Sequence, residues 1–243
     1  MERNPKHLTL TQHLEELRVR LIKSLIFFVA ASCLFFRWSD DALSYLARPL
    51  DQLVFTSPTE AFTTKMVTTL LGGLFLSIPY ILYHAWQFVY AGLHDIERKY
   101  TAVFIPFSII FFGVGCAFGY VVVLPYVLRF FLSFSTSALT PMITVGKYVS
   151  FAAGLVLSFG LIFELPLVVV LLTKIGILTP EFLKQKRRYA IVLIFVVSAV
   201  LTPPDFVSQI FMAIPLLVLY EISILLSRFV FRLNAKASSV DFS

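Results

Sequence analysis

Cysteine, histidine and charge are all scarce in this chain of 243 residues, and each scarcity closes off a class of function. The two cysteines, Cys33 and Cys116, both fall inside apolar runs. They read as small packing residues, so neither a disulfide framework nor a metal site is expected. The four histidines, His7, His13, His84 and His94, lack metal-ligand spacing. No glycine-rich phosphate loop, zinc-protease helix or serine flanked by the right glycines occurs, so neither an enzyme nor a cofactor is expected. Charged residues are only 14% of the chain against 58% hydrophobic ones, and 26 of the latter are Phe. A soluble domain of this length could not bury so much apolar surface. The composition therefore predicts an all-α polytopic membrane protein.

The net charge of +6 would suit nucleic acid if it formed one patch. The basic residues instead cluster between apolar runs, which is the pattern of cytoplasmic loops, and no nucleic-acid partner is expected. Ala31-Ser32-Cys33 resembles a lipoprotein cleavage site. The polar segment before it is long and partly acidic, however, and the apolar run continues through Leu34-Phe35-Phe36, so no signal peptide is read there.

Six apolar runs divide the chain, at about 21–38, 65–91, 101–124, 149–173, 189–202 and 206–226, and are read as one integral membrane domain over 1–243. Ahead of the first, Leu10, Leu14, Leu17 and Leu21 repeat at helical spacing with Glu15, Glu16, Arg18 and Arg20 on the other faces, predicting an amphipathic helix that runs into the span. Ser39 to Thr56 is too polar to cross and is expected to hold one short helix before Pro49. Ser57-Pro58-Thr59-Glu60 is a helix start, with a cap, a proline at the first helical position and Glu three residues after the cap. Gly115 and Gly119 have the spacing that admits a close helix neighbour. Pro125 is expected to end the third span, and a charged tail to follow the sixth. Fifteen Lys and Arg fall in the N-terminal segment, the tail and the loops after spans two and four, against Arg48 and Lys147 in the opposite loops. That asymmetry predicts six transmembrane helices with both termini cytoplasmic.

Glu164 stands out. It lies past the middle of a 25-residue apolar run, Val149 to Thr173, where an ionised side chain costs about 2.5–3.5 kcal/mol on insertion scales. Pro166 removes a backbone donor two residues later, so a bend beside the carboxyl is expected. Glu221 is the sixteenth residue from Phe206, as Glu164 is from Val149. Two readings of Glu221 stay open, an intramembrane polar group or an interfacial one that snorkels to water.

An ordered set of motifs carries a family resemblance. His13-Leu14-Glu15-Glu16-Leu17-Arg18-Val19-Arg20-Leu21, Ser57-Pro58-Thr59-Glu60, Ile81-Leu82-Tyr83, Glu97-Arg98-Lys99, Phe163-Glu164-Leu165-Pro166, Thr202-Pro203-Pro204-Asp205 and Ala213-Ile214-Pro215-Leu216-Leu217 resemble TatC, the receptor subunit of the twin-arginine protein translocase. The resemblance implies a concave six-helix bundle in the bacterial cytoplasmic (inner) membrane. It implies recognition of signal peptides with consecutive arginines, assembly with the single-span subunits TatA and TatB, more than one copy in the complex, and transport of folded proteins driven by the protonmotive force. Carried over by motif, Glu16 and Glu97 match the acidic positions of the signal-peptide patch, with Leu14, Arg18 and Phe88 beside them. Glu164 matches the intramembrane acidic position. Thr202 and Gln209 match polar positions where partner helices dock. One departure is Ile96, where the family usually has His.

The residues alone also admit simpler readings. Glu16 has the i,i+4 spacing for a helix pair with Arg20, and Glu97 could be a solvated loop charge. A rival function is a proton-coupled small-solute transporter using Glu164. The chain shows no inverted repeat and no matched pair of broken helices to support it.

Overall fold

The protein is described here by a computed structural model, which covers residues 10–50, 53–91, 95–136, 141–201 and 206–240. Among these, the side chains of 10, 90–91, 95–103, 208 and 233–240 are not described. The described residues form ten α-helices in order: α1 (Leu10–Phe35), α2 (Ser39–Ala47), α3 (Pro58–Ala91), α4 (Asp95–Phe118), α5 (Leu124–Leu132), α6 (Val145–Ile162), α7 (Leu165–Lys174), α8 (Pro180–Gln185), α9 (Arg187–Leu201) and α10 (Phe206–Val240). A 3-10 turn, Phe36–Trp38, joins α1 to α2, and a π-helical turn, Gly119–Val123, joins α4 to α5. Among the described residues the β-structure is a single bridge between Val54 and Thr144.

Among the described residues, five helical stretches are long and apolar enough to cross a membrane: Thr11–Ala47, Pro58–Val89, Phe104–Leu132, Val145–Lys174 and Gln209–Arg232. The chain is thus a multi-pass membrane protein. The fifth run is shorter, as its length in sequence foretold: α9 has 15 residues, or ~22 Å at about 1.5 Å per residue.

Prolines separate expectation from outcome. Pro166 interrupts its helix at Phe163–Glu164, where α6 ends and α7 begins. Pro79, Pro106 and Pro215 sit inside unbroken helices. Pro125 does not end the third span. The π turn ahead of it routes the Leu124 N–H to Gly119 O, and Pro125 falls in the first turn of α5, where no backbone donor is required. The apolar helix therefore continues to Leu132. The charged tail is likewise helical, since α10 reaches Val240.

The chain divides into two compact units, one of residues up to Ile109 with Met142–Phe151, the other of Ile110–Pro141 with the chain from Ala152 onward. In the first, α1 packs along α3. A Cβ on Gly73 would overlap the backbone of Ser32, and one on Gly72 the ring of Phe35, so this contact needs residues without side chains. Phe27 stacks on Tyr80 at 4.4 Å between ring centroids. The entry to α3 is tied down by Glu60. Its Oε2 accepts from Thr56 N at 2.7 Å and Thr56 Oγ1 at 2.8 Å, while Oε1 accepts from Gly146 N at 3.2 Å. The expected cap forms too, with Ser57 Oγ accepting from Glu60 N at 3.2 Å.

In the second unit, α4 meets α6 at the paired glycines. A Cβ on Gly115 would stand 2.8 Å from Phe163 Cβ, and one on Gly119 3.1 Å from Phe159 Cβ. Gly160 returns the fit, with a Cβ there 2.7 Å from both Cys116 Sγ and the Phe112 ring. Helix α7 is joined to α10 by a 2.8 Å hydrogen bond between the Thr173 and Ser227 hydroxyls. Gly176, at φ +76°, ends α7 in a left-handed turn, with Ile177 N donating to Leu172 O and Gly176 N to Thr173 O.

Candidate functional site

The amphipathic start of α1 lies against the end of α3. His13, Glu16 and Arg20 are spaced i, i+3, i+7 and so share one helix face, while His84 and Phe88 are one turn apart on α3. His13 stacks on Phe88 with ring centroids 4.3 Å apart. Arg20 Nη1 lies 3.5 Å from His84 Nδ1. The rings of Tyr80 and Tyr83 close edge-on around His84, at 4.4 and 5.4 Å.

Glu16 lies within this contact. Arg20 Nε donates to Glu16 Oε1 at 3.0 Å, and Arg20 Nη2 donates to the same oxygen. Their side chains keep only 20% and 25% of their exposure, against 70% and 63% for the neighbouring Arg18–Glu15 pair at 3.5 Å. The simple i,i+4 pairing of Glu16 is therefore present. Leu14 is 63% exposed, on the side away from α3 with Arg18. The structure thus places Glu16 on the same face of α1 as His13, which meets Phe88, and leaves Leu14 and Arg18 exposed. Glu97 lies in the first turns of α4, and its side chain is outside the described residues. Metal-ligand spacing gives no reason to single out His13 or His84 in the sequence. The shared face of His13, Glu16 and Arg20 was the available signal.

In the second unit, Glu164 is 9% exposed at the junction of α6 and α7. Its N–H donates to Leu161 O at 3.1 Å, and its carbonyl accepts from Val168 N at 3.0 Å, so both backbone groups of Glu164 stay hydrogen-bonded through the break. Pro166 beside it is fully buried. Glu221 is different. It accepts from Arg187 Nη2 at 2.6 Å, with both side chains about half exposed, 48% and 47%. Arg187 is the first residue of α9, so this pair ties the start of that short helix to α10. Gln209 Nε2 donates to Phe195 O at 3.0 Å, tying α10 to α9. Thr202 is outside the described residues. Among the described residues no group of three or more His, Cys, Asp or Glu is placed to hold a metal.

Residues 12–215 match the family described as Sec-independent protein translocase protein (TatC). The chain belongs to the TatC family. It is 43% identical to the TatC protein of Carboxydothermus hydrogenoformans over 93% of this chain and 95% of that one. It is 40% identical to TatCd of Bacillus subtilis over 96% of each chain, and 40% identical to TatC of Aquifex aeolicus over 90% of this chain and 94% of that one. The fold is similar to a crystal structure of a twin-arginine translocase receptor TatC, with a TM-score of 0.82 and 39% identity over 90% of this chain and 99% of that one. TatC is named for protein translocation rather than for a catalysed reaction, and nothing among these relatives supports a small-solute transporter.

Proposed function

We propose that this chain is the receptor subunit of a twin-arginine translocase. It binds signal peptides carrying consecutive arginines at the start of α1, with Glu16 and Glu97 as the acidic partners and Leu14, Arg18 and Phe88 flanking them. The observation that carries this reading is that Glu16 already holds a guanidinium through two of its nitrogens. A guanidinium is a planar fork suited to carboxylate, and lysine offers a single point charge instead. A carboxylate placed to hold Arg20 in this way suits the arginine of a passing peptide.

The receptor sits in the bacterial cytoplasmic membrane as one integral domain of six spans, with both termini in the cytoplasm and in more than one copy per complex. The positive bias supports this orientation. Assigning Arg37, Lys65 and Arg129 to the outer side as well still leaves the cytoplasmic side ahead by about three to one. With single-span TatA and TatB it moves folded proteins at the expense of the protonmotive force. Glu164 serves as an intramembrane polar anchor, and the outer ends of α9 and α10, with Thr202 and Gln209, take the partner helices. An exposed side chain at that end of α9 suits the role: Val200 is 80% exposed.

The deciding experiment compares a twin-arginine peptide with its twin-lysine counterpart on the purified chain. Binding of the first and at least tenfold weaker binding of the second is expected. Equal affinity for both would refute the reading.

A further inference from the structure

The short helix α2 is held on one side and open on the other. Its held side is made by Ser39, whose Oγ donates to Phe36 O at 2.8 Å, by Asp40, which pairs with Lys65 Nζ at 2.7 Å, and by Leu46, whose carbonyl accepts from Tyr148 OH at 2.7 Å. Lys65 also lies over the Phe36 ring, 5.3 Å from its centroid. The element therefore cannot roll without breaking contacts to α3 and α6. Its other face carries Trp38, Asp41, Tyr45 and Arg48 at i, i+3, i+7 and i+10, a single helical stripe. These four line an open groove of about 530 Å³, with Phe35 and Ala42 beside them.

Three properties of the groove select its occupant. Its depth comes first: the apolar run of α1 ends at Trp38, and exposed Trp and Tyr at such an end sit at the level of lipid headgroups. Trp38 and Tyr45 are 47% and 50% exposed. Its charges come second. Arg48 folds back over the Tyr45 ring, its guanidinium carbon 4.6 Å from the centroid, while Asp41 stands two turns earlier, about 10 Å along the axis. A carboxylate in the groove opposes a purely anionic ligand, and a guanidinium opposes a purely cationic one. Third, aromatic faces beside that carboxylate favour an ammonium through cation–π attraction.

We propose that this groove binds the headgroup of a zwitterionic phospholipid, with its phosphodiester on Arg48 and its primary ammonium at Asp41 against Trp38. Arginine suits the first role because it meets phosphate with paired donors. The acyl chains then lie along the exposed apolar face of α1, where Leu34 is 62% exposed. The lipid would fill the front of α2 while Asp40 and Lys65 hold its back.

The test is native mass spectrometry of the full chain in detergent, with phosphatidylethanolamine, phosphatidylglycerol or inorganic phosphate added. One phosphatidylethanolamine per chain is expected on the wild type, with retention at least tenfold lower in Arg48→Gln and several-fold lower in Asp41→Asn. Phosphatidylglycerol, which lacks the ammonium, should bind more weakly than phosphatidylethanolamine, and Asp41→Asn should narrow or reverse that preference. The ratio of the two lipids within one variant does not depend on how much protein is folded. Equal retention by wild type and Arg48→Gln would overturn the proposal, as would a lipid preference unchanged in Asp41→Asn. Displacement of the lipid by millimolar inorganic phosphate would overturn it in favour of a free-anion site.

Discussion

Arg20 closes on Glu16 with two nitrogens while its third reaches toward His84 on the neighbouring helix. The carboxylate proposed to receive a signal peptide's arginine is thus occupied by an arginine of its own chain. An incoming guanidinium exchanges with Arg20 rather than meeting an empty site. An i,i+4 pair near the surface is worth about 0.3–0.5 kcal/mol, whereas a hydrogen bond to a charged group is worth about 1.5–3 kcal/mol. Arg20→Gln is therefore expected to tighten binding of a twin-arginine peptide by about twofold, and Glu16→Ala to weaken it by about tenfold or more. Titration of labelled peptide reads both. Weaker binding in Arg20→Gln would mean that Arg20 belongs to the receptor surface rather than competing for it.

Glu164 separates an anchoring role from a proton-relaying one. Glutamine keeps its shape and hydrogen-bonding capacity without a titratable proton, and alanine keeps neither. As an anchor, Glu164→Gln should retain most transport and partner crosslinking while Glu164→Ala loses both. Loss of transport in Glu164→Gln with crosslinking intact would instead assign it to proton transfer.

Two glycines of α4 make a matched pair for stability. A Cβ on Gly113 meets nothing within 4 Å, whereas one on Gly115 meets Phe163 Cβ at 2.8 Å. Gly113→Ala is expected to be neutral or to raise thermal stability, since Ala is favoured over Gly in a helix by about 1 kcal/mol. Gly115→Ala should cost about 1–3 kcal/mol by overpacking. Melting curves in detergent check the pair, and equal behaviour would show that α6 yields at that contact.

The length of α9, ~22 Å for 15 residues, falls short of a hydrocarbon core of about 30 Å. The bilayer is expected to thin beside it. Inserting four apolar residues should reduce transport several-fold and leave signal-peptide affinity unchanged. Full transport by the lengthened chain would show that the short helix has no part in it.

Orientation can be read with single cysteines at two exposed positions, Ser44 and Lys184, in a background without Cys33 and Cys116. A membrane-impermeant thiol reagent added to intact cells should label position 44 and spare position 184. The opposite pattern would invert the topology.

Sequence by itself determined the class, the approximate positions of the helices and the short fifth run, because apolar run length and basic loops are linear properties set by the bilayer. It also located the Pro166 break and the close approach at Gly115 and Gly119, since a missing donor and a missing side chain act wherever the helix runs. Pro125 does not end its span, because a proline's effect depends on whether the preceding turn can reroute one hydrogen bond, and the π turn does so. The state of the candidate site was decided only in three dimensions. Sequence spacing allowed both fates for Glu16, and the packing of α1 on α3, which brings His84 to Arg20 and Phe88 to His13, holds the pair together. Glu221 was likewise ambiguous by depth alone, and its partner Arg187 lies 34 residues away in the chain. Partner choice between distant side chains is a property of tertiary packing, and no periodicity along the chain encodes it.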